Sequence, residues 1–349
     1  MPKRLPVTVI TGFLGAGKTT LLRHLLTESG QRLAVMVNEF GSVGLDGDLI
    51  RSCGFCSEQE IEGRLIELNN GCLCCTVQDD FLPNIEKVLS RASNLDGIVV
   101  ETSGLALPRP LIEALQWPEI RSKIYLNGVA TVVDGEALKH GSPVGDMSAL
   151  EKQRLDDQNL DHLTPINELF SDQLKAANFI LISRADRLKA FELERIRREL
   201  LENSNIGTPI LSIAHGKVEP QLILGLNADE SSKPQNQTKS IEHHDHHHLE
   251  VVSSSVRLEA LTNKKAIESL LPELAMKYQI LRLKGRCWLP GKVIPLQIQM
   301  VGPRLTSWFE SAPESAWQPV EGGLDIVVLS LKQGAVEELK QKIKINFPF

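Results

Sequence analysis

The sequence predicts an α/β protein with a mostly parallel sheet flanked by helices, followed by a small α+β domain. Three observations predict this fold. Short β-branched runs alternate with longer amphipathic segments through the first two thirds of the 349 residues, as in parallel sheets whose crossovers are helices. The composition then changes abruptly at Asn227, and a new pattern of strands and helices begins at Val251. A chain of this length is also expected to hold about two domains.

The predicted elements of the first domain alternate along the chain. Its strands are short β-branched runs, predicted at Val7–Ile10, Leu33–Val37, Ile98–Val100, Val129–Val133, Phe179–Ser183 and Ile210–Ile213. Its helices are the amphipathic segments between them, predicted at Lys18–Leu26, Asn84–Ala92, Pro110–Leu115, Glu168–Ala176 and Phe191–Asn203. Ligands of such sheets bind beyond the carboxyl ends of the strands, which is where the motifs described below fall.

Composition also predicts the domain boundaries. Residues 1–227 form the predicted first domain, residues 228–248 a polar, His-rich linker, and residues 249–349 the α+β domain. The linker has almost nothing to bury. Its run Glu242–His248 could collect metal weakly, or it could be a soluble spacer. A second polar stretch, Gly141–Asn167, is interpreted as a surface insertion.

The second domain has its own set of predicted elements. Apolar and β-branched runs predict strands at Val251–Leu258, Gln279–Leu283, Pro295–Met300 and Ile326–Ser330. Amphipathic segments predict helices at Lys264–Leu271 and Ala335–Ile343. About 100 residues is a common size for one domain.

Composition and charge exclude some classes of function. The chain carries 38 Lys and Arg against 44 Asp and Glu, a net charge of −6, which argues against a protein that coats duplex nucleic acid. No apolar run approaches the roughly 18 residues of a membrane span, and the N-terminus has no signal-peptide pattern. We therefore expect a soluble cytoplasmic protein whose partners are neither nucleic acid nor membrane.

A phosphate-binding loop is predicted directly after the first strand. The segment Gly12–Thr19 reads GFLGAGKT and fits G-x-x-x-x-G-K-[ST], in which the glycines let backbone N–H groups cradle phosphates. Lys18 would reach the β- and γ-phosphates, the Thr19 hydroxyl would bind Mg²⁺, and the following helix adds the positive end of its dipole. The candidate nucleotide-binding residues of this loop are Gly12, Gly15, Ala16, Gly17, Lys18, Thr19 and Thr20.

Two carboxylates and a glycine are expected near the same phosphates. Glu101 ends the strand Ile98–Val100 where Asp is commoner, and it would orient Mg²⁺ or its water. The N–H of Gly104 would contact a γ-phosphate at the start of a switch loop. Glu39, after the second strand, would couple nucleotide state to metal affinity, or it could be a solvated carboxylate. With Lys18, these three residues are the catalytic candidates.

The loop after the fifth predicted strand predicts the choice of base. Ser183, Arg184 and Asp186 stand where guanine-specific P-loop proteins carry N/T-K-x-D. The Asp186 carboxylate can accept both N1–H and N2–H₂ of guanine, a pair of hydrogen bonds that adenine cannot supply. Arg184 would lie over the base in place of Lys. The alternative is an ordinary strand-end Asp that caps the next helix.

Three thiols within four residues predict a metal site. The segment NNGCLCC begins like a loop, from which Cys72, Cys74 and Cys75 can face one ion. Thiolates suit Zn²⁺, Co²⁺ or Cu⁺. The interpretations left open are a transferable site on these three thiols and a structural zinc site that also recruits Cys53 and Cys56. A third is simple packing of buried thiols.

Together these motifs resemble the CobW-type metallochaperone GTPases, relatives of the nickel chaperones for hydrogenase and urease. The resemblance covers most of the chain and rests on four segments, which are the phosphate loop, Asn38–Gly41, Cys72–Cys75 and Glu101–Gly104. Finer features are similar to the cobalamin-biosynthesis branch of the family, namely Cys53–Cys56, Cys75–Phe81, Glu101–Pro108 and Val301–Arg304. Many relatives carry Glu directly after the Asn-Glu-Phe-Gly block, whereas this chain has Ser42.

The resemblance implies hydrolysis of GTP to GDP coupled to delivery of a divalent metal, here Co²⁺ passed to a subunit of the cobaltochelatase that fills the corrin ring. It implies GTP and Mg²⁺ as cofactors and Co²⁺ or Zn²⁺ as the metal. The residues implied at the metals are Cys72, Cys74, Cys75, Glu39, Thr19 and Glu101. The oligomeric state is not predicted by the sequence, and a homodimer is one possibility.

Other functions stay open beside this one. The nearest is a zinc chaperone of the same family, because thiolates prefer Zn²⁺ to Co²⁺ on intrinsic affinity. A zinc-storage module would bind metal whatever the nucleotide. A P-loop kinase for a small molecule would need arginines in a lid, and the obvious lid candidate, Gly141–Asn167, contains only Arg154.

Overall fold

The computed structural model of the chain describes residues 4–38, 65–68, 81–156, 164–225 and 251–347. The chain divides into two compact units, one ending at Leu224 and the other starting at Gly225. This division lies near the end of the predicted first domain, and the predicted linker bounds, residues 228 and 248, stay a prediction.

A parallel sheet forms the first unit. Its strands, numbered along the chain, are β1 Leu5–Thr11, β2 Leu33–Asn38, β3 Leu65–Leu68, β4 Gly97–Glu101, β5 Ile124–Asp134, β6 Phe179–Ser183 and β7 Ile210–Ser212. Among the described residues they pair in the spatial order β3-β2-β4-β1-β5-β6-β7, every pair parallel. The predicted α/β class is therefore confirmed, and β1 lies at the centre of the sheet.

Helices cover both faces of this sheet. They are α1 Lys18–Glu28, α2 Leu82–Leu89, α3 Pro108–Ala114, α4 Gly135–Lys139, α5 Met147–Asp156, α6 Ile166–Ala176, α7 Ala190–Asn203 and α8 Pro220–Leu224. On one face, Val7 and Val9 of β1 belong to a buried apolar cluster with Ile85 of α2. On the other face, Thr8 Oγ1 lies 3.5 Å from Ile223 O of α8. Because successive side chains of a strand point to opposite faces, the sheet is buried on both sides.

The second unit is an antiparallel sheet with helices on one face. Its strands are β8 Val252–Glu259, β9 Ile280–Trp288, β10 Leu296–Val301, β11 Arg304–Phe309 and β12 Gly323–Ser330, in the spatial order β11-β10-β9-β12-β8. Its helices are α9 Lys264–Tyr278 and α10 Ala335–Asn346. Leu271 and Leu339 are buried with Leu283 and Ile326 in one core. The predicted α+β class of this domain is confirmed.

One helix of the second unit runs past its predicted end. The predicted helix is Lys264–Leu271, but α9 continues through Pro272 to Tyr278, because Leu274 and Tyr278 are buried in the core. No helix in the described part of the chain is long and apolar enough to cross a membrane.

Candidate nucleotide site

The phosphate loop joins β1 to α1, and its backbone requires glycine at both ends. Gly12 has φ 139° and Gly17 has φ 104°, in a region that residues with a side chain rarely adopt. A Cβ on Gly12 would also clash with Val132 O of β5. Between them, the N–H of the buried Ala16 donates to Phe13 O at 3.1 Å. The loop is therefore a tight turn, and its first residue, Gly12, lies against the backbone of β5.

Lys18 begins α1 directly behind this loop. Its side chain is buried, and Nζ donates to Phe13 O at 3.1 Å, so the ammonium group lies inside the loop. The N-cap residue of α1 is Gly17, and the positive end of the helix dipole at this point favours an anion. Gly15 and Thr20 are exposed at the rim. This arrangement suits a cradle for phosphates.

Two oxygen atoms that could bind a metal ion lie close together next to Lys18. Thr19 Oγ1 donates to Glu101 Oε1 at 3.1 Å, and Glu101, the last residue of β4, is only 2% exposed. A hydroxyl and a carboxylate are hard oxygen ligands, and Mg²⁺ at nucleotide sites typically takes one or two such protein oxygens together with waters and phosphates. The donor set therefore fits the Mg²⁺ that accompanies a bound nucleotide.

The loop after β4 is bonded to the strand that carries the phosphate loop. The Thr102 N–H donates to Ile10 O at 2.9 Å, and its Oγ1 donates to Thr11 Oγ1 at 3.0 Å. Two residues further, a Cβ on Gly104 would lie 2.5 Å from the backbone nitrogen of Leu14. The backbones of the two loops therefore touch at Gly104, and a displacement of one reaches the other.

A buried amide on α6 holds the same loop from its other side. Gln173 is 1% exposed, and its Nε2 donates to Gly104 O at 3.2 Å and to Ala106 O at 3.4 Å. Leu169 of the same helix belongs to an apolar cluster, whose other buried members are Phe13, Leu105, Ala106, Val144 and Leu150. Val144 and Leu150 belong to the stretch that we interpreted as a polar surface insertion. Part of that stretch instead packs against the phosphate loop.

The predicted base-side residues stand at the carboxyl end of β6. Ser183 is buried and its Oγ donates to Val133 O at 3.1 Å, which braces β5 against β6. Arg184 has the left-handed φ of 53° and turns its side chain to the phosphate loop, where Nη2 donates to Gly15 O at 2.9 Å. Asp186 follows within a single turn of 3-10 helix, and its side chain is partly exposed.

An exposed histidine stands opposite Asp186. Nε2 of His215 lies 3.8 Å from Asp186 Oδ2, and His215 has φ 53° in the loop after β7. A Cβ on the next residue, Gly216, would lie 2.8 Å from Thr20 O of α1. The loop after β7 therefore packs on the start of α1 and holds His215 near the predicted guanine-reading carboxylate.

The structure thus gathers Lys18, Thr19, Glu101 and Gly104 around the phosphate loop and links Arg184 to it. Sequence reasoning missed Asp134, Gln173 and His215. Asp134 directly follows the predicted strand Val129–Val133, and this position at a carboxyl edge could have identified it. Gln173 had no such signal, because it lies inside an amphipathic helix.

Of the predicted metal ligands, only Thr19 and Glu101 belong to the described residues. Glu39, Cys72, Cys74 and Cys75 lie outside the described residues, as do Cys53, Cys56 and the histidine run. Within the ranges that the structure describes, no group of three His, Cys, Asp or Glu side chains could hold a metal ion.

Two protein families match the chain, one for each unit. The family described as CobW/HypB/UreG, nucleotide-binding domain, matches residues 6–211. The family described as cobalamin synthesis protein cobW C-terminal domain matches residues 251–342.

Among known proteins, several are similar over most of this chain. A protein of Pseudomonas aeruginosa named zinc chaperone CobW is 44% identical over 315 residues, 88% of this chain and 83% of the relative. A second zinc chaperone CobW, from a Sinorhizobium species, is 41% identical and covered to 88% in both chains. The zinc chaperone YjiA of Escherichia coli K12 is 30% identical over 337 residues, 89% of this chain and 92% of the relative.

Proposed function

Because the chain belongs to the CobW/HypB/UreG family of P-loop GTPases, we propose that it is a zinc metallochaperone whose hold on the metal depends on Mg·GTP. Membership of the family confirms the predicted resemblance. It also confirms the predicted class of enzyme, a GTPase, and the coarser function of metallochaperone. The identity of the metal, the ligands and the coupling are the proposal.

The order of the strands at one edge of the sheet is the observation that carries the proposal. The carboxyl ends of β3, β2, β4 and β1 are neighbours, because Asn38 is paired with Leu68, Val37 with Glu101 and Ile10 with Glu101. Neighbouring strands lie about 4.8 Å apart, so the three steps from β3 to β1 span about 14 Å.

Each of these four strand ends leads into one predicted functional segment. β3 ends at Leu68, shortly before the three cysteines, and β2 ends at Asn38, directly before Glu39. β4 ends in Glu101, and β1 ends at the phosphate loop. The segments therefore leave the sheet in the order metal thiols, coupling carboxylate, Mg²⁺ carboxylate and phosphates. This order supports a short route from the γ-phosphate to the metal.

In the proposed cycle, GTP orders the segments after β2 and β4 and thereby completes the thiolate site. Lys18 binds the β- and γ-phosphate oxygens, Thr19 and Glu101 hold the Mg²⁺ that neutralises them, and the Gly104 N–H contacts the γ-phosphate. Water attacks the γ-phosphorus, the bond to the bridging oxygen breaks, and GDP and phosphate result. Loss of the γ-phosphate contacts releases the switch segments and loosens the metal.

Zinc is the proposed cargo for two reasons. Thiolates prefer Zn²⁺ to Co²⁺ on intrinsic affinity, and similar proteins are named zinc chaperones. Cobalt passed to a cobaltochelatase subunit is the second candidate. It is favoured by the match of the second unit to a cobalamin-synthesis family.

The coupling is tested by metal affinity in three nucleotide states. We expect Zn²⁺ affinity, measured by competition with a chromophoric chelator, to rise by about 5- to 150-fold from Mg·GDP to a non-hydrolysable Mg·GTP analogue, the usual range for coupled sites. The nucleotide-free protein should resemble the GDP state. Equal affinities in all three states would contradict the proposal and favour the zinc-storage function.

Two variants separate the parts of this mechanism. Replacing both Cys74 and Cys75 by Ser should abolish tight Zn²⁺ binding in every nucleotide state while leaving GTP binding intact. Replacing Lys18 by Ala should remove the nucleotide dependence and keep the weak metal affinity of the GDP state.

The same titration with Co²⁺ separates the two candidate metals. A larger Mg·GTP-dependent gain for Zn²⁺ than for Co²⁺ supports zinc. The reverse order, together with metal transfer to a cobaltochelatase subunit that requires hydrolysis, would support the cobalt candidate.

A further inference from the structure

A buried carboxylate at the end of β5 lies outside the roles described so far. The side chain of Asp134 is only 8% exposed, and its two oxygens have different partners. Oδ1 accepts the N–H groups of Glu136 at 3.0 Å and Ala137 at 3.3 Å, which caps α4. Oδ2 accepts from Nη1 of Arg184, at the end of the neighbouring strand. Oδ1 of Asp134 therefore caps the helix, while Oδ2 orients the guanidinium of Arg184.

The same guanidinium reaches the phosphate loop. Nη2 of Arg184 donates to Gly15 O at 2.9 Å while Nη1 is held by Asp134. A guanidinium is rigid and planar, so fixing one of its nitrogens fixes the direction in which the other donates. A lysine at this position has a single nitrogen on a flexible stem and would hold both oxygens less rigidly.

The contact at Gly15 fixes one peptide group of the phosphate loop. A Cβ on Gly15 would meet no described atom within 4 Å, and its φ is 73°. The adjoining peptide N–H, that of Ala16, donates to Phe13 O. Because a peptide group is planar, the Gly15–Ala16 peptide is held from both ends, by Arg184 at its oxygen and by Phe13 at its nitrogen.

We infer that Asp134 is a positioning residue for the nucleotide, acting through Arg184 on the Gly15 carbonyl of the phosphate loop. Because the phosphate loop binds the phosphates and not the base, Asp134 strengthens the binding of nucleotides with any base. Asp186 is the carboxylate predicted to read guanine, and its selectivity does not depend on Asp134. The inference requires only the GTPase site, whichever metal the chain carries.

Asp134→Asn is the main test, because the amide oxygen still caps α4 while the charge that holds Arg184 is lost. We expect the affinity for GTP and for GDP to fall about tenfold, as befits a hydrogen bond to a charged group. The affinity for inosine nucleotides, which lack the 2-amino group, should fall by the same factor. In steady-state hydrolysis KM should rise and kcat should stay within about twofold.

Glu136→Gln is the matched control. Glu136 is more exposed, and its Oε2 lies 3.7 Å from Nε of Arg184. The control should bind nucleotides as the wild type does, and both variants should unfold well above the temperature of the binding assay.

Arg184→Lys provides a second, independent variant. If both residues act through the one contact at Gly15, the double variant Asp134→Asn/Arg184→Lys should bind GTP no more weakly than the worse single variant. Additive losses would overturn the inference. So would an unchanged affinity of Asp134→Asn, a loss confined to guanine nucleotides, or an equal loss of affinity in Glu136→Gln.

Discussion

At Glu101 the chain places a longer carboxylate than the aspartate that is commoner at this point of P-loop proteins. The side chain is buried, and its Oε1 accepts from the Thr19 hydroxyl. Glu101 ends β4 beside Ile10 of β1, and its carboxylate meets the hydroxyl of Thr19 in the first turn of α1. The two oxygens that would face Mg²⁺ are thus positioned by the end of a strand and by the start of a helix.

Replacing Glu101 by Gln keeps the volume and removes the charge. We expect the Mg²⁺ concentration for half-maximal GTP hydrolysis to rise about tenfold or more, because the ion loses a negative charge beside it. A Mg²⁺ titration at saturating GTP measures this requirement. Thr102→Val removes a neighbouring hydroxyl outside the donor set and should keep the wild-type requirement. An unchanged requirement in Glu101→Gln would show that the carboxylate does not serve the ion.

Single residues are predictable when their chemistry is tied to local sequence. The glycines, Lys18 and Thr19 follow from one strand, one turn and one helix, and Glu101 follows from a strand end. Asp134 is different, because its partner Arg184 lies 50 residues further along the chain. Only the pairing of β5 with β6 brings the two together, and no local pattern encodes that contact.

Among the elements, α6 links the loop after β4 to the rest of the domain. Gln173 on this helix donates to two carbonyls of that loop. Its backbone carbonyl accepts from Thr131 Oγ1 of β5 at 3.1 Å. The helix is therefore fixed to the sheet by one bond and to the loop by two others.

Replacing Gln173 by Met keeps a similar volume and removes both donors. The buried carbonyls of Gly104 and Ala106 then lose that partner, so the free energy of unfolding should fall by about 1–3 kcal/mol. The loop also loses its anchor, so kcat for GTP hydrolysis should fall. Urea unfolding and single-turnover hydrolysis measure the two effects.

Thr131→Val is the matched control for this prediction. It removes the bond between α6 and the sheet but leaves the amide of Gln173 in place. We expect it to cost stability and to keep kcat. A similar loss of kcat in both variants would mean that α6 acts only through general stability.

Helices and strands could be predicted where the apolar residues of a segment repeat with a clear helical or strand period. The predicted strand Phe179–Ser183 and the observed β6 have the same bounds. β3 was missed because its four residues, LIEL, lie in a polar stretch and become a strand by pairing with β2. β11 was missed because it is an edge strand whose side chains are mostly half-buried, so its sequence shows little alternation. Its strand character comes from pairing with β10.

At the scale of the whole molecule, the six cysteines fall into two groups. Five lie between Cys53 and Cys75, and the sixth, Cys287, lies in β9 of the second unit. Cys287 is fully buried in the apolar core, and this burial raises the pKa of its thiol to about 12. A raised pKa keeps the neutral thiol dominant at pH values where an exposed cysteine, with a pKa of about 8.5, is ionised. Cys287 is therefore assigned to packing.

This assignment predicts how the thiols react. A variant in which the other five cysteines are Ser should resist alkylation at pH 9 while folded, because the thiolate is the reacting form. The same variant should react fully once it is unfolded in urea. Alkylation followed by mass spectrometry measures both states. Rapid labelling of the folded variant would show that Cys287 is accessible.

The central place of β1 in the sheet also decides when the nucleotide site can form. β1 is made before the other strands of its sheet, but Val7 is paired with Ile98 and Leu5 with Ile124, far along the chain. Contacts between distant residues form slowly, and synthesis proceeds from the N-terminus. The contact with Arg184 comes later still. The phosphate loop is thus synthesised before the strands that hold it in place, and it takes its final shape only after they have been made.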